Sequence, residues 1–212
     1  EDITWQASSK YEAEDIQRVL KKYKLVKTFR IVEAVNLPAS ANAESIESKG
    51  QIIKESGKAR VIFLSRISPM KNLDYAIRLL EQVKGQIVFD IYGPVEDESF
   101  WRDCQKVIDQ MPANIHVCYQ GLVTPDKVQQ IFAQYHVFLF PTQGENFGHV
   151  ILEALSAGCP VITSNNTPWR QLSAANAGWD LPLEEPQQFT NVLQELVAMD
   201  QQSWVQLSNG AR

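Results

Sequence analysis

Cysteine is scarce in this 212-residue sequence. There are three, Cys104, Cys118 and Cys159, widely spaced and with no C-x-x-C pair. An odd count without metal-ligand spacing argues against a disulfide framework and fits thiols kept reduced in a reducing compartment. Basic charge is also in deficit: 20 Lys and Arg stand against 25 Asp and Glu, a formal net charge of −5, where a dedicated nucleic-acid binder would be basic. No uninterrupted apolar run reaches transmembrane length and no signal-peptide pattern is present, so a cytosolic domain is expected. The three histidines, His116, His136 and His149, lack metal spacing. What is present suffices for a real core, with 44% hydrophobic and 21% charged residues, an ordinary globular composition.

From Arg60 onward short apolar runs alternate with helical periodicity. "RVIFLS" (60–65), "IVFDIY" (87–92), "IHVCY" (115–119), "HVFLF" (136–140) and "PVIT" (160–163) read as strands, with "GWDLPL" (178–183) as a sixth. Between them lie "KNLDYAIRLLEQV", whose Leu73, Ala76, Ile77, Leu80 and Val83 share one stripe, and "ESFWRDCQKVIDQ". "DKVQQIFAQY" follows, announced by Thr124 as N-cap and Pro125 at the first helical position, and then the run through 149–157 that Gly158 stops. A last helical run spans 184–199, and "SWVQLSNGAR" reads as the start of a helix that is cut short. Strands apolar on both faces, alternating with helices, predict a Rossmann-like, doubly wound parallel sheet covered on both sides. In such sheets ligands sit at the carboxyl ends of the strands where the strand order reverses, so chemistry is expected on the loops after the first and fourth strands. Residues 1 to 59 differ. A helix in "SSKYEAEDIQRVLKKYKL" and a strand in "TFRIVEAV" precede a small, polar, linker-like stretch. The expected division is a remnant of a preceding unit over 1–37, a linker over 38–57 and the main domain over 58–212.

The first of those loops, "SRISPMKN", carries Arg66 at the strand end and Lys71 where the next helix is expected to begin. A helix N-terminus already offers unpaired N–H groups and partial positive charge, so cations there lack a structural motive. Two readings stand: solvated surface bases, or a phosphate cradle. No G-x-G-x-x-G follows the strand, which removes the main support for a dinucleotide cofactor. The second loop leads into "ENFGHVILE". Val150, Ile151, Ala154 and Leu155 form the buried side of its helix, and Glu153 falls opposite, four residues from His149. Alone, Glu153 is an exposed ion-pair partner and Glu145 a carboxylate favoured by the helix dipole. Asn146-Phe147-Gly148 is what that leaves unexplained, a backbone able to approach a ligand closely. Carboxylates in such folds also accept hydrogen bonds from ribose hydroxyls.

These residues carry a resemblance. Glu145-x7-Glu153 is similar to the E-x7-E signature of retaining glycosyltransferases of the GT-B fold, family 4, and "SRISPMKN" resembles that family's Arg-x4-Lys diphosphate loop. The likeness spans about 58–200 and corresponds to the C-terminal, donor-binding half, with 1–37 resembling the end of an N-terminal half. It implies that Arg66 and Lys71 neutralise a leaving nucleoside diphosphate and that Glu153 binds the ribose. Glu145, Asn146, Phe147 and Gly148 would contact the donor sugar or its phosphates, and Gly121, Leu122 and Val123 the base. It implies transfer of a sugar, with retention of configuration, to a glycan or lipid-linked acceptor. It further implies no cofactor and no metal, the sequence having no D-x-D. The full-length enzyme would be cytoplasmic, with peripheral association at the inner face of a membrane, and this stretch alone inactive without its N-terminal domain. "TPWRQL" (167–172) resembles a variant of polysaccharide-building members; it also reads simply as a helix start with a packed Trp169. Ser65 and Asn146 stand where the family often has Gly. A nucleotide-sugar epimerase of similar fold and a non-catalytic nucleotide-sugar-binding module are the alternatives.

Overall fold

A computed structural model describes residues 3–23, 29–33 and 52–212. Most of the linker expected at 38–57, and part of the strand expected at 28–35, lie outside the described residues. The first unit consists of β1 (Ile3–Ala7), α1 (Lys10–Tyr23) and β2 (Phe29–Glu33), the two strands pairing in parallel. Ser9 accepts from the Glu12 amide, and Glu12 Oε2 accepts from the Ser8 amide and hydroxyl at 2.7 and 2.6 Å, a reciprocal cap at the start of α1.

The main domain runs β3 (Lys58–Leu64), α2 (Leu73–Leu80), β4 (Gln86–Tyr92), α3 (Glu98–Ile108), β5 (Ile115–Gly121), α4 (Val128–Phe132) and β6 (Val137–Phe140). It continues through α5 (His149–Ser156), β7 (Val161–Ser164), β8 (Gly178–Leu181), α6 (Pro186–Ala198) and α7 (Gln201–Ala211). The six strands form one parallel sheet in the order β5-β4-β3-β6-β7-β8. This is the expected doubly wound sheet, and its order reverses between β3 and β6. Every residue of β6 and β7 is buried, which requires cover on both faces. The helices supply it in two packing groups, α2 with α3 and α6, and α4 with α5. In the middle of the core Phe138 stacks on Phe140, which Phe63 meets edge-on.

Two local expectations need correction. Lys71 does not open a helix: Pro69–Lys71 is a single 3-10 turn, and α2 starts at Leu73 after Asn72, whose φ is 61°. The stretch after Thr124 likewise begins with a 3-10 turn at Pro125–Lys127, leaving α4 only five residues. A proline start permits either kind of turn, and sequence periodicity does not separate them over three residues. The terminal stretch forms the helix expected of it, α7, and that helix packs on the core. Asp200 caps α7 through the Ser203 amide at 2.8 Å, and Trp204, Leu207 and Ala211 are buried. Trp204 Nε1 donates to the carbonyl of His136 at 2.9 Å, and Ser208 donates to that of Gly158 at 2.6 Å. Cys159 is core, as its place at a strand start suggests.

Candidate functional site

The reversal of strand order leaves a crevice between the carboxyl ends of β3 and β6, and the loops after these strands are knitted together across it. Asn72 Nδ2 donates to Pro141 O at 2.9 Å, the Gln143 amide donates to Met70 O at 2.9 Å, and Thr142 Oγ1 reaches the same carbonyl at 3.2 Å. At the centre, Lys71 Nζ lies 2.6 Å from Glu145 Oε1, the two side chains being 11% and 14% exposed. Two charges that far from water need each other, and removing either would strand its partner. The structure therefore brings together Lys71 and Glu145, which are 74 residues apart. It turns Arg66 elsewhere: that guanidinium is exposed and donates to Glu96 Oε1 at 2.7 Å, on the loop after β4.

The turn Asn146-Phe147-Gly148 leads into α5. Gly148 has φ 80°, and a Cβ there would meet Ile151 Cδ1 at 3.1 Å and Trp169 Nε1 at 3.4 Å, so a larger residue would be both strained and crowded. Trp169 Nε1 donates to Phe147 O at 2.6 Å, and Asn146 Nδ2 donates to Glu12 Oε1 at 2.8 Å. The turn and the Glu145 that precedes it are thus held by Lys71, Trp169 and Glu12, from three separate stretches of the chain. Trp169 packs as one reading of "TPWRQL" required, although no helix starts there.

Glu153 is not on a solvated side. Within α5 only the end residues His149 and Ser156 are exposed. Glu153 is half-buried, and desolvation pushes its carboxyl above the usual range, partly offset by the charge of His149. The helical wheel counts only the helix's own faces and misses what neighbouring loops cover. Among the described residues no hydrogen-bond donor reaches this carboxylate. A half-desolvated acceptor without a protein donor is suited to take hydrogen bonds from a ligand.

Gly121 ends β5 with φ 81°, Leu122 is 74% exposed and Val123 packs on the core. The loop is tied towards the crevice in two steps. The Gly93 amide donates to Gly121 O at 2.8 Å, and Ser65 N to Tyr92 O at 3.1 Å. Gly93 has no room for a side chain, since a Cβ would lie 1.9 Å from Ser65 O. Beneath these loops, buried Asp90 accepts from Tyr135 Oη at 2.8 Å and Gln120 Nε2 at 2.7 Å, fixing the strand ends from below.

Sequence reasoning missed Glu96, Glu12, Asn72 and the Asp90 network. The stretch "VEDES" (95–99) reads in sequence as a solvated loop and helix cap, and Asp97 does cap α3. "SSKYE" offers a serine N-cap in sequence, but nothing in it shows the reach of Glu12 to Asn146. Among the described residues no group of three or more His, Cys, Asp or Glu is placed to hold a metal ion, and no helix is long and apolar enough to cross a membrane.

A doubly wound parallel sheet whose switch-point crevice carries an E-x7-E helix start and a lysine turn is the C-terminal domain type of GT-B glycosyltransferases. The model of the family described as glycosyl transferases group 1 matches residues 44–212, and the chain belongs to that family. A curated relative, the sulfoquinovosyl transferase SQD2 of Arabidopsis thaliana, is 31% identical over 111 residues, 52% of this chain and 20% of that protein. The fold is shared with a mutant of S. aureus TarM solved with fondaparinux, alpha-GlcNAc-glycerol and UDP, at TM-score 0.73 and 17% identity. That match covers 97% of this chain and 39% of TarM. Anabaena HepE, solved with UDP and glucose, gives TM-score 0.73 and 17% identity, over 97% of this chain and 56% of HepE. The chain therefore spans well under two thirds of the length of each.

Proposed function

We propose that this chain is the donor-binding part of a glycosyltransferase that moves a sugar from a nucleoside diphosphate to a glycan or lipid-linked acceptor, with retention of configuration. The observation that carries this reading is the shielded Lys71–Glu145 pair across the crevice. A diphosphate entering there takes Lys71 as its counter-ion and releases Glu145 towards the sugar that the diphosphate carries. Breaking the bond between sugar and diphosphate leaves negative charge on the leaving phosphates, and a cation fixed in a dry crevice stabilises it. Arg66 joins by leaving Glu96, which an exposed pair permits at small cost. Asn146, Phe147 and Gly148 supply the turn against the phosphates or sugar, Glu153 accepts the ribose hydroxyls, and Gly121–Val123 border the base. With cations from side chains, the reaction is metal-independent.

In this reading 1–37 belongs to an N-terminal domain, 38–57 is the linker and 58–212 is the donor domain. Transfer requires the acceptor side of the N-terminal domain, so the 212 residues bind donor without turning it over. The full-length enzyme works in the cytoplasm, at the inner face of a membrane.

A thermal-shift screen of nucleoside diphosphates and their sugars, with and without EDTA, tests the reading. At about 100 times the dissociation constant, ligand raises stability by roughly 2.7 kcal/mol. Stabilisation by at least one diphosphate, unchanged in EDTA, is expected; stabilisation only with a divalent metal would overturn the metal-independent assignment.

A further inference from the structure

Thr142, in the loop after β6, is wholly buried, and its hydroxyl sits between the two loops that meet at the crevice. Three acceptors surround Oγ1: Gly144 O at 3.1 Å, Met70 O at 3.2 Å and Glu145 Oε1 at 3.5 Å. A hydroxyl has a single proton to donate, so these acceptors compete for it. The residue itself is pinned. Oγ1 accepts from the Gly144 amide at 3.3 Å, the Thr142 amide donates to Phe140 O at 2.8 Å, and Ser164 Oγ donates to Thr142 O. Changing acceptor therefore takes little more than rotation of the O–H bond.

The three acceptors are not equivalent. Glu145 is the farthest while Lys71 Nζ holds the same oxygen, Oε1, at 2.6 Å. Met70 O also accepts from the Gln143 amide at 2.9 Å, so it stays satisfied if the threonine proton turns away. Glu145 has no such reserve: among the described residues, Lys71 and Thr142 are the side chains that donate to its carboxylate. A carboxylate 14% exposed that loses its cation needs another donor close by. A hydrogen bond to a charged acceptor is worth more than one to a neutral carbonyl, which favours the turn once Lys71 has gone.

We infer that Thr142 is a positioning residue for Glu145: when an anion draws Lys71 away, the threonine hydroxyl turns from the backbone carbonyls to Oε1 and holds the carboxylate in place. The inference rests on the donor reading for the identity of the anion. It supplies what the exchange at Lys71 otherwise lacks, a group that receives Glu145 when its counter-ion leaves. The competing role is a plain tie between the loops through Met70 O. Such a tie would act with the same strength whatever stands at positions 71 and 145.

Urea denaturation of the chain tests this without any ligand. Thr142→Val keeps the shape and removes the hydroxyl, and Lys71→Met removes the cation. With Lys71→Met present, Thr142→Val is expected to lower the folding equilibrium constant by roughly fivefold more than it does alone, the margin between a charged and a neutral acceptor. Thr142→Ser keeps the hydroxyl and shows no such excess, and adding Glu145→Leu to Lys71→Met abolishes it. If Thr142→Val with Lys71→Met does not fold while Thr142→Ser with Lys71→Met does, the excess is at its limit. Titration reads the same coupling in the unaltered site: Thr142→Val weakens UDP by roughly threefold or more and UMP less, and Thr142→Ser restores UDP binding. Equal losses from Thr142→Val with and without Lys71, an excess that persists without Glu145, or UDP bound alike by the chain and Thr142→Val overturns the inference. The excess in a chain that ignores UDP supports the hold of Thr142 on Glu145 and counts against the donor reading.

Discussion

The ammonium of Lys71 and the carboxylate of Glu145 meet at 2.6 Å across the line where the strand order of the sheet reverses. The pair closes the ligand crevice with its own charges, one from each of the two loops that such a sheet offers to a ligand. Each charge offsets the cost of burying the other.

Breaking the pair from one side is expected to destabilise the fold. Lys71→Ala leaves Glu145 shielded and unpaired, at a cost of about 3 kcal/mol. Replacing both with apolar residues, Lys71→Met with Glu145→Leu, should recover most of that loss. Urea denaturation of the two single variants and the double variant measures the coupling; additive losses would show that the charges do not depend on each other.

Glu153→Ala is expected to separate stability from binding. Removing a desolvated carboxylate without a protein donor leaves the fold at least as stable. Nucleoside mono- and diphosphates both weaken more than tenfold, because a charge-assisted hydrogen bond is worth roughly 1.5–3 kcal/mol. The preference for ribose over 2′- or 3′-deoxyribose disappears. Unchanged deoxyribose discrimination in the folded variant would return Glu153 to a purely structural place.

Glu96→Gln frees Arg66 and is expected to tighten diphosphate binding by up to about fivefold, the upper end of what an exposed pair of ~1 kcal/mol withholds. Calorimetry at low salt reads the change. Weaker binding would mean that Glu96 presents Arg66 to the ligand.

Stability should fall on the acid side through His136. Its ring is buried, Nδ1 accepting from the Arg60 amide at 2.8 Å, and burial lowers its pKa from 6.5 to about 4. Between pH 6.5 and 4 the unfolded chain takes up a proton that the native state refuses. This contribution is therefore intact above pH 6.5 and is lost as pH falls, by about 3 kcal/mol at pH 4. His136→Asn, which keeps an acceptor for Arg60, should flatten the acid limb in chemical denaturation; an unchanged limb would assign the loss to the carboxylates.

The alternation of doubly apolar runs with helical stripes was enough to name the sheet and to point at the loops after β3 and β6. Both regularities are local and repeat. The motif residues Arg66, Lys71, Glu145 and Glu153 were visible because their spacing is short. Their partners were not. Glu96, Glu12 and the Asp90 network join residues 30 to 134 positions apart, and no periodicity marks such pairs. Glu153 was misplaced for the same reason, since its burial comes from neighbours that its own helix does not encode.

The most direct measurement is titration of nucleoside di- and monophosphates into the chain and into Lys71→Ala. If Lys71 exchanges Glu145 for phosphate, diphosphate affinity falls more than tenfold in the variant, roughly the 1.5–3 kcal/mol of a charge-assisted contact, and its salt dependence flattens. Monophosphate affinity falls less. Equal loss for both ligands, or diphosphate binding untouched by Lys71→Ala, would contradict a crevice built around that exchange.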